Sequence, residues 1–374
     1  MSAYEAQAAE LLAGWHARDA DATRTIRYNL PRFLDEKVTW LPREMSEAEL
    51  RATPLTLNEA RLALARRYTF RDWPSLVEWV SAVADERSPV FVFESAVEAV
   101  VGGDVPALER LVTADPGLVR ARSTIVTPHD PAQHRATLLH YTAANGVEGH
   151  RQKTPQNAVD VAHVLLRAGA EPDALASMYG GDATTMSMLV SSAHPARAGV
   201  QVALAETLLD YGAAVDGRGS GDWVSPLMTA LAFGYLDTAQ ALVRRGARVD
   251  NVAAAAGLGL QSRVADLLPD ADNLSRHRAT ALAAQHGHND VLALLLDAGE
   301  DPNRYNPEGN HGHSTPLHQA VWSDHLDTVR LLVSRGARLD VRDTIYCGTP
   351  LGWAEFGRRT AIADYLRSLT AAPH

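Results

Sequence analysis

The chain has 374 residues, of which 46% are hydrophobic, and its 35 basic and 45 acidic side chains give a net charge of −10. That composition supports a large buried core, and it argues against nucleic-acid binding, because neutralised phosphates supply most of that affinity. Its single cysteine, Cys347, excludes a disulfide framework within the chain. With no signal-peptide pattern and no apolar run of membrane-spanning length, a cytoplasmic protein that does not insert into membranes is expected.

The first part of the chain is predicted to be helical. Apolar residues recur with a spacing near 3.6 over residues 3–18 and again over 57–68, which indicates amphipathic helices. The phrase RRYTFRDWPSLVEWV follows at 66–80 and contributes two large rings, Trp73 and Trp79. Residues 1–88 are therefore predicted to form a helical region distinct from the rest of the chain.

From about residue 90 the sequence repeats itself. One phrase recurs as LLRAGAEPD (165–173), LLDYGAAVD (208–216), LVRRGARVD (242–250), LLDAGEDPN (295–303) and LVSRGARLD (332–340). Each copy has the pattern of an amphipathic helix end followed by glycine, which adopts a left-handed conformation at little cost and so ends a helix. The helix stops are therefore predicted at Gly169, Gly212, Gly246, Gly299 and Gly336.

A second phrase marks the start of a helix. It reads ATLLHYTAA (136–144), VSPLMTALA (224–232), STPLHQAVW (314–322) and GTPLGWAEF (348–356). Ser or Thr caps the helix. Pro is tolerated in the first turn, because the N–H that it lacks would have no partner within the helix at that position. From Thr315 to Thr349 is 34 residues. With TPLHQA at 315–320 and variants of it at the other helix starts, residues 90–370 resemble the ankyrin-repeat family, whose repeat of about 33 residues carries T-P-L-H-x-A, and the 66–80 phrase is similar to the leader of some bacterial-type ankyrin arrays.

The resemblance implies an all-α fold, an ankyrin-repeat solenoid with a helical N-terminal cap. About seven repeats are expected over residues 89–374, some of them degenerate. Residues 1–88 would be the capping region, with Trp73 and Trp79 covering the first repeat, since an uncovered end repeat leaves apolar surface in water.

Three polar insertions depart from the repeat period, at 146–157, 179–201 and 304–314. Insertions in solenoids map to loops, often on the binding face, so these are predicted to be enlarged loops. The first contains both acidic and basic side chains, and it predicts a solvated loop, with anion binding as the alternative.

The family's contact positions are the inner helices and turn tips, which line one concave surface. When these contact positions are carried onto this chain by their place in the repeat, they include Ser323 and Phe356 as well as residues of the predicted binding set given next. The predicted binding residues are Asn145, Tyr179, Ser191, Ser192, Trp223, Phe233, Gln285, His286, Tyr305, Asn306, His311, His313, Ser314, Trp322, Tyr346 and Trp353. Aromatic rings supply contact area and polar groups set orientation, so this mixture suits a specific binding site.

The histidines permit more than one interpretation. His140 and His318 hold the fourth place of T-P-L-H, where the family's histidine usually bonds to backbone between repeats, and a structural role is predicted. His311 and His313 are interpreted as an exposed ligand-contacting tip. A metal site is the alternative, but two histidines one residue apart on an extended segment point to opposite faces. No metal and no cofactor is predicted.

The predicted function is recognition of a partner protein or peptide through the concave face, by analogy with the family. The alternative is a small-molecule-binding protein or enzyme with its site under the enlarged loops. In that case His286, His311 or His313 would supply acid/base chemistry, because imidazole titrates near neutrality. Glu355 would be the nearest carboxylate. A flat groove favours a protein partner, whereas a pocket roofed by the three loops favours a small molecule.

Overall fold

The structure is a computed structural model that describes residues 1–144, 147–178, 181–218 and 224–370. Its secondary structure is almost entirely helical, which confirms the predicted all-α class. The chain divides into two compact units, Met1–Val224 and Ser225–His374. The predicted boundary between cap and repeats, at residue 88, lies inside the first unit and remains a prediction.

The first unit begins with a helical region that has its own core. Its helices are α1 Ser2–Ala17, α2 Ala20–Asn29, α3 Glu47–Ala52, α4 Leu57–Arg67 and α5 Trp73–Val83, with a 3-10 turn at Pro31–Phe33. Trp15 and Phe33 are buried in this core with ring centroids 5.3 Å apart. Trp73 and Trp79 are partly buried against a second cluster, whose members Ala65, Phe70 and Leu76 belong to the helical region and whose member Ile125 belongs to the segment predicted to be repeats. Their role as a cover for the first repeat remains a prediction.

The remainder of the first unit contains irregular helix pairs. They are α6 Pro89–Gly102, α7 Val105–Ala114, α8 Leu138–Tyr141, α9 Ala158–Arg167, α10 Thr185–Leu189, α11 Ala193–Arg197 and α12 Gln201–Asp210, with 3-10 turns at Pro116–Arg120 and Gly149–Arg151. Strands β1 Ala176–Met178 and β2 Gly181–Ala183 pair antiparallel, with Ser177 opposite Asp182. The insertion 179–201 is therefore not a simple loop, because β2, α10 and α11 lie within it.

The second unit is a stack of five helix pairs. The pairs are α13 Pro226–Ala232 with α14 Leu236–Arg244, α15 Val252–Gly257 with α16 Gln261–Leu267, α17 Asn273–Gln285 with α18 Asn289–Asp297, α19 Pro316–Trp322 with α20 Leu326–Ser334, and α21 Pro350–Phe356 with α22 Thr360–Thr370; a 3-10 turn lies at Leu268–Asp270. Its core combines small residues such as Ala283 and Ala320 with larger ones such as Leu295 and Leu332, all fully buried. Alanines let adjacent helices approach closely, and the leucines supply most of the buried apolar area.

The predicted helix ends and caps are present. The five glycines that were predicted to stop helices all have left-handed φ values, between 86° and 99°. At the T-P-L-H start, Nδ1 of His318 accepts the Thr315 backbone N–H at 3.3 Å, and its Nε2 donates to the Gly348 carbonyl at 3.2 Å. His140 repeats this arrangement with Thr137 and Ala183. The structural role predicted for both histidines is confirmed.

Candidate functional site

The second unit contains a cavity of about 990 Å³, which we call the aromatic groove. Its walls come from three of the inner helices, α17, α19 and α21. The segment that follows α13 and the segments that precede α19 and α21 also contribute. The lining residues are Phe233, Gly234, Leu236, Gln285, His286, His311, His313, Gln319, Trp322, Ser323, His325, Tyr346, Gly348, Gly352, Trp353 and Phe356.

One wall of the aromatic groove is a continuous set of rings. Trp322 and Phe356 end α19 and α21, 34 residues apart, and their nearly parallel rings have centroids 6.5 Å apart. Trp353 meets Trp322 edge to face at 5.9 Å. The outer rings lie largely in solvent: Trp322 is 46% exposed, Tyr346 64% and Phe356 83%. Exposed aromatic area of this extent in one patch is typical of an interaction site.

A buried carboxylate holds the centre of this wall in place. Asp343 accepts hydrogen bonds from the backbone N–H groups of Ile345, Tyr346 and Gly348 and, at 2.9 Å, from Nε1 of Trp353. Burial alone would raise the pKa of Asp343, but these donors outweigh it and hold the pKa below its ordinary value. The indole of Trp353 is therefore fixed before any ligand arrives.

The segment between Arg304 and Ser314 is folded onto the stack. His311 has a left-handed φ of 61°, unusual for a residue with a side chain. Its carbonyl accepts from both the backbone N–H and the hydroxyl of Ser314, and its Nε2 donates to the Ala232 carbonyl at 3.0 Å. His311 and His313 are partly buried, so the prediction of an exposed tip is wrong. The bond to Ala232 ties His311 to α13, and the ring of His313 lies against those of Tyr346 and Trp353.

Three polar side chains converge on the C-terminal end of α13. His286 Nε2 donates to the Leu231 carbonyl at 2.8 Å, and the Gln285 amide donates to Ala232 at 3.0 Å, beside the bond from His311. The last carbonyls of a helix have no partner within the helix, so these side chains satisfy them. Burial is the largest influence on His286 and lowers its pKa to about 4, although the Leu231 carbonyl opposes it. The imidazoles of His286 and His311 are therefore neutral near pH 7, and each carries its proton on Nε2, the atom that donates.

Comparison with known proteins agrees with this architecture. A sequence model of ankyrin repeats (three copies) matches residues 252–343. Human cyclin-dependent kinase 4 inhibitor B is 34% identical over 129 residues, which cover 33% of this chain and 91% of the relative. The chain belongs to the ankyrin-repeat family. Human cyclin-dependent kinase inhibitor 2A is 33% identical over 149 residues, covering 40% of this chain and 78% of the relative.

A solved structure of the ankyrin repeat domain of human ASB11 aligns over 64% of this chain and all of that domain, with 20% identity and a TM-score of 0.30. The family assignment rests on the sequence matches. Membership of the ankyrin-repeat family supports a protein-interaction role. The bacterial type remains a prediction.

The aromatic groove brings together many of the predicted binding residues of this ankyrin protein. Those that line it are Phe233, Gln285, His286, His311, His313, Trp322, Tyr346 and Trp353. Phe356 and Ser323, which the register also selected, lie there too. The prediction did not include His325, Gln319 and Leu236. His325 follows the left-handed residue Asp324, as His288 follows Gly287, and that recurrence was the available signal.

Other predicted binding residues lie elsewhere. Tyr305 donates its hydroxyl to the Arg342 carbonyl, and Asn306 and Ser314 are buried. Ser191 and Ser192 belong to the first unit, where the Ser191 hydroxyl donates to helix carbonyls and Ser192 caps α11. Asn145, Tyr179 and Trp223 lie outside the described residues. The binding role of all these residues remains a prediction.

The geometry gives little support to acid/base chemistry in the groove. Glu355 does not line it and instead pairs with Arg367 at 2.9 Å on the neighbouring helix. His286, with a pKa of about 4, is a weak base near neutrality. In the described parts of the chain, no cluster of three or more His, Cys, Asp or Glu side chains could hold a metal ion. Nor is any described helix both long and apolar enough to cross a bilayer.

A cluster of charged side chains in the first unit was not predicted. Arg151, expected in a solvated loop, is buried and lies 2.6 Å from Glu94 and 2.9 Å from Glu148. Glu148 is fully buried; Tyr141 donates to its carboxylate, and His134 lies 3.0 Å away. Carboxylates therefore already occupy Arg151, and these ion pairs tie the described residues 148–151 to α6.

Proposed function

We propose that this ankyrin-repeat protein binds a segment of a partner protein in the aromatic groove. The observation that carries the proposal is the exposure of Trp322, Tyr346 and Phe356 along one wall whose centre, Trp353, is already held in place by Asp343. Large aromatic side chains dominate the energy of protein interfaces, and a wall that is ordered beforehand loses little entropy on binding.

The relatives support the same class of function. Two of them are named as inhibitors of cyclin-dependent kinases, which makes them proteins that act on other proteins. We take from them only the recognition of a protein, since identity over about a third of this chain does not specify the partner. A cytoplasmic location is part of the proposal, and the single cysteine, which excludes a disulfide framework within the chain, supports it.

A small-molecule ligand is the second candidate, favoured by the cavity volume of about 990 Å³, which a drug-sized molecule would fill. Among the described residues of the three insertions, however, those that line the cavity are His311 and His313, both in 304–314. The roof that would distinguish a small-molecule pocket from an open groove is therefore not formed by described residues of the other two.

The proposal is tested by affinity capture from the protein's own host with three matched baits. The first is the wild type. The second carries Trp322→Ala and Phe356→Ala, which remove two rings of the wall; because Trp322 also packs on Trp353, thermal unfolding of this bait must show that it is folded at the temperature of the capture. The third carries Trp40→Ala, an equally drastic loss of an exposed tryptophan outside the groove, since Trp40 is 63% exposed in the first unit.

Proteins retained by the wild type and by Trp40→Ala, but lost with the double variant, are the expected result. Cross-linking of such a protein to residues of the groove would then place it there. Identical sets of proteins on all three baits would refute the proposal. Stabilisation of the wild type, but not the double variant, by a small-molecule extract alone would favour the second candidate.

A further inference from the structure

The side chains that line the aromatic groove carry no permanent charge. Among its described lining residues there is no Lys, Arg, Asp or Glu. The polar groups are histidines, glutamines and one serine, and burial lowers the pKa of His286, His311 and His313. A charged group that entered the groove would therefore meet no like charge on the described lining side chains near neutral pH; the adjacent fixed charges are Asp343 behind Trp353 and Arg359, which donates to the Trp322 carbonyl and lies 3.7 Å from Asp324.

The floor of the groove presents hydrogen-bond acceptors. The Nε2–H groups of His286 and His311 donate to the carbonyls of Leu231 and Ala232. Each neutral ring therefore carries its lone pair on Nδ1. Neither Nδ1 atom has a hydrogen-bond partner among the described residues, and neither is buried. Two acceptors without a described protein partner therefore belong to side chains that line the groove, and donors on the ligand would suit them.

The walls favour the same sign. The face of an aromatic ring is the negative end of its quadrupole, and it attracts cations and N–H donors. Trp322, Tyr346 and Phe356 leave about half or more of their surface exposed. A carboxylate could accept from the lining hydroxyls of Ser323 and Tyr346, but it would be repelled by the ring faces and would leave both Nδ1 lone pairs without donors. An aliphatic side chain would cover the rings but leave both acceptors without donors, at a cost in desolvation.

We infer that the aromatic groove selects a partner segment by an arginine side chain. A guanidinium is planar, stacks on aromatic faces and carries five N–H donors, so one group satisfies both the walls and the floor. A lysine ammonium has three donors on a compact charge and is held more strongly by water. The inference rests on the proposed function and specifies the chemistry of the segment that is bound.

The test uses short fluorescent Gly/Ser peptides that differ at one central position, which is arginine, citrulline, leucine or glutamate. Citrulline keeps the shape of arginine and removes the charge. Fluorescence anisotropy with the full chain should show the arginine peptide binding about tenfold more tightly than the citrulline peptide, and the glutamate peptide most weakly. The Trp322→Ala and Phe356→Ala double variant should lose this preference, and Trp40→Ala should keep it.

A charge pair at one position of the rim provides a second measurement. Ser323 lines the groove after the end of α19, and its side chain makes no hydrogen bond among the described residues. Ser323→Glu should tighten the arginine peptide, and Ser323→Lys should weaken it, each by about two- to fivefold, while the leucine peptide changes little.

The inference is overturned if the leucine or citrulline peptide binds as tightly as the arginine peptide, or if the arginine peptide binds the double variant unchanged. A groove-dependent leucine peptide would leave the proposed function standing. So would groove-dependent proteins captured in the bait experiment without any preference for arginine. Failure of that capture refutes the proposed function itself, so the two failures are distinguishable.

Discussion

The buried guanidinium of Arg151 offers a sharp test of what holds the 146–157 insertion in place. We consider Arg151→Met, which keeps an unbranched side chain and removes the charge. In the wild type Arg151 pairs with Glu94, Glu98 and Glu148. Glu98 is largely exposed and returns to water, whereas Glu94 and Glu148 are left as buried carboxylates without their cation.

Removing one partner of a buried ion pair typically costs about 3–5 kcal/mol, because the remaining charge stays buried. We expect a loss in that range in the free energy of unfolding of the first unit at about pH 8. The exposed partner Glu98 adds little, since surface ion pairs contribute about 0–1 kcal/mol.

The loss should depend on pH in a definite direction. Burial already raises the pKa of Glu94, and without Arg151 the pKa of Glu148 should rise from its present value of about 2. A carboxyl whose folded pKa exceeds its unfolded pKa binds protons in the folded state, so the variant regains stability as pH falls through that raised pKa. In the wild type, Glu148 stays ionised and contributes fully above its unfolded pKa. The deficit should therefore shrink between about pH 8 and about pH 5.

Urea unfolding followed by circular dichroism measures the free energy, and hydrogen exchange of peptides around residues 94 and 148 locates the change. Arg330→Met is the matched control, because the described contacts of the Arg330 guanidinium are an ion pair with the exposed Asp327 at 3.0 Å and the face of the Tyr365 ring, and it should cost under about 1 kcal/mol. A loss below about 1 kcal/mol for Arg151→Met, or a loss that grows as pH falls, would refute the reasoning.

Three further outcomes are expected. Burial lowers the folded pKa values of His140 and His286 to about 4, below the unfolded value. The free energy of unfolding should therefore be full above about pH 6.5 and fall as pH decreases toward about 4. A series of urea midpoints measured at different pH values would show this dependence. Asp343→Ala should cost about 2–4 kcal/mol in thermal unfolding, because four donors lose a buried acceptor, and a native-like melting temperature would contradict this. Gly246→Ala, at φ 99°, should destabilise by about 1 kcal/mol, while Gly102→Ala, inside α6 with open space around it, should stabilise slightly; equal effects would refute the strain at Gly246.

The sequence by itself determined the repeat architecture of the second unit. Local rules suffice there, since Thr315 and Thr349 cap helices, Pro occupies the first turn, and the glycines predicted to end helices all have positive φ. The period of 34 residues then placed Trp322 and Phe356 one above the other, because repeats that obey one period present the same position to the same face. Much of the aromatic groove could therefore be predicted without coordinates.

Only the tertiary structure decided what the irregular segments do. No local pattern distinguishes Arg151 in a solvated loop from Arg151 buried among carboxylates, because its partner Glu94 is 57 residues earlier in the chain (151 − 94). The same holds for His311, whose tautomer is set by a carbonyl of α13, 79 residues away. Charge, burial and hydrogen bonding at such positions depend on contacts between distant segments, and those contacts turned a predicted exposed histidine tip into part of the wall of a neutral, acceptor-lined groove.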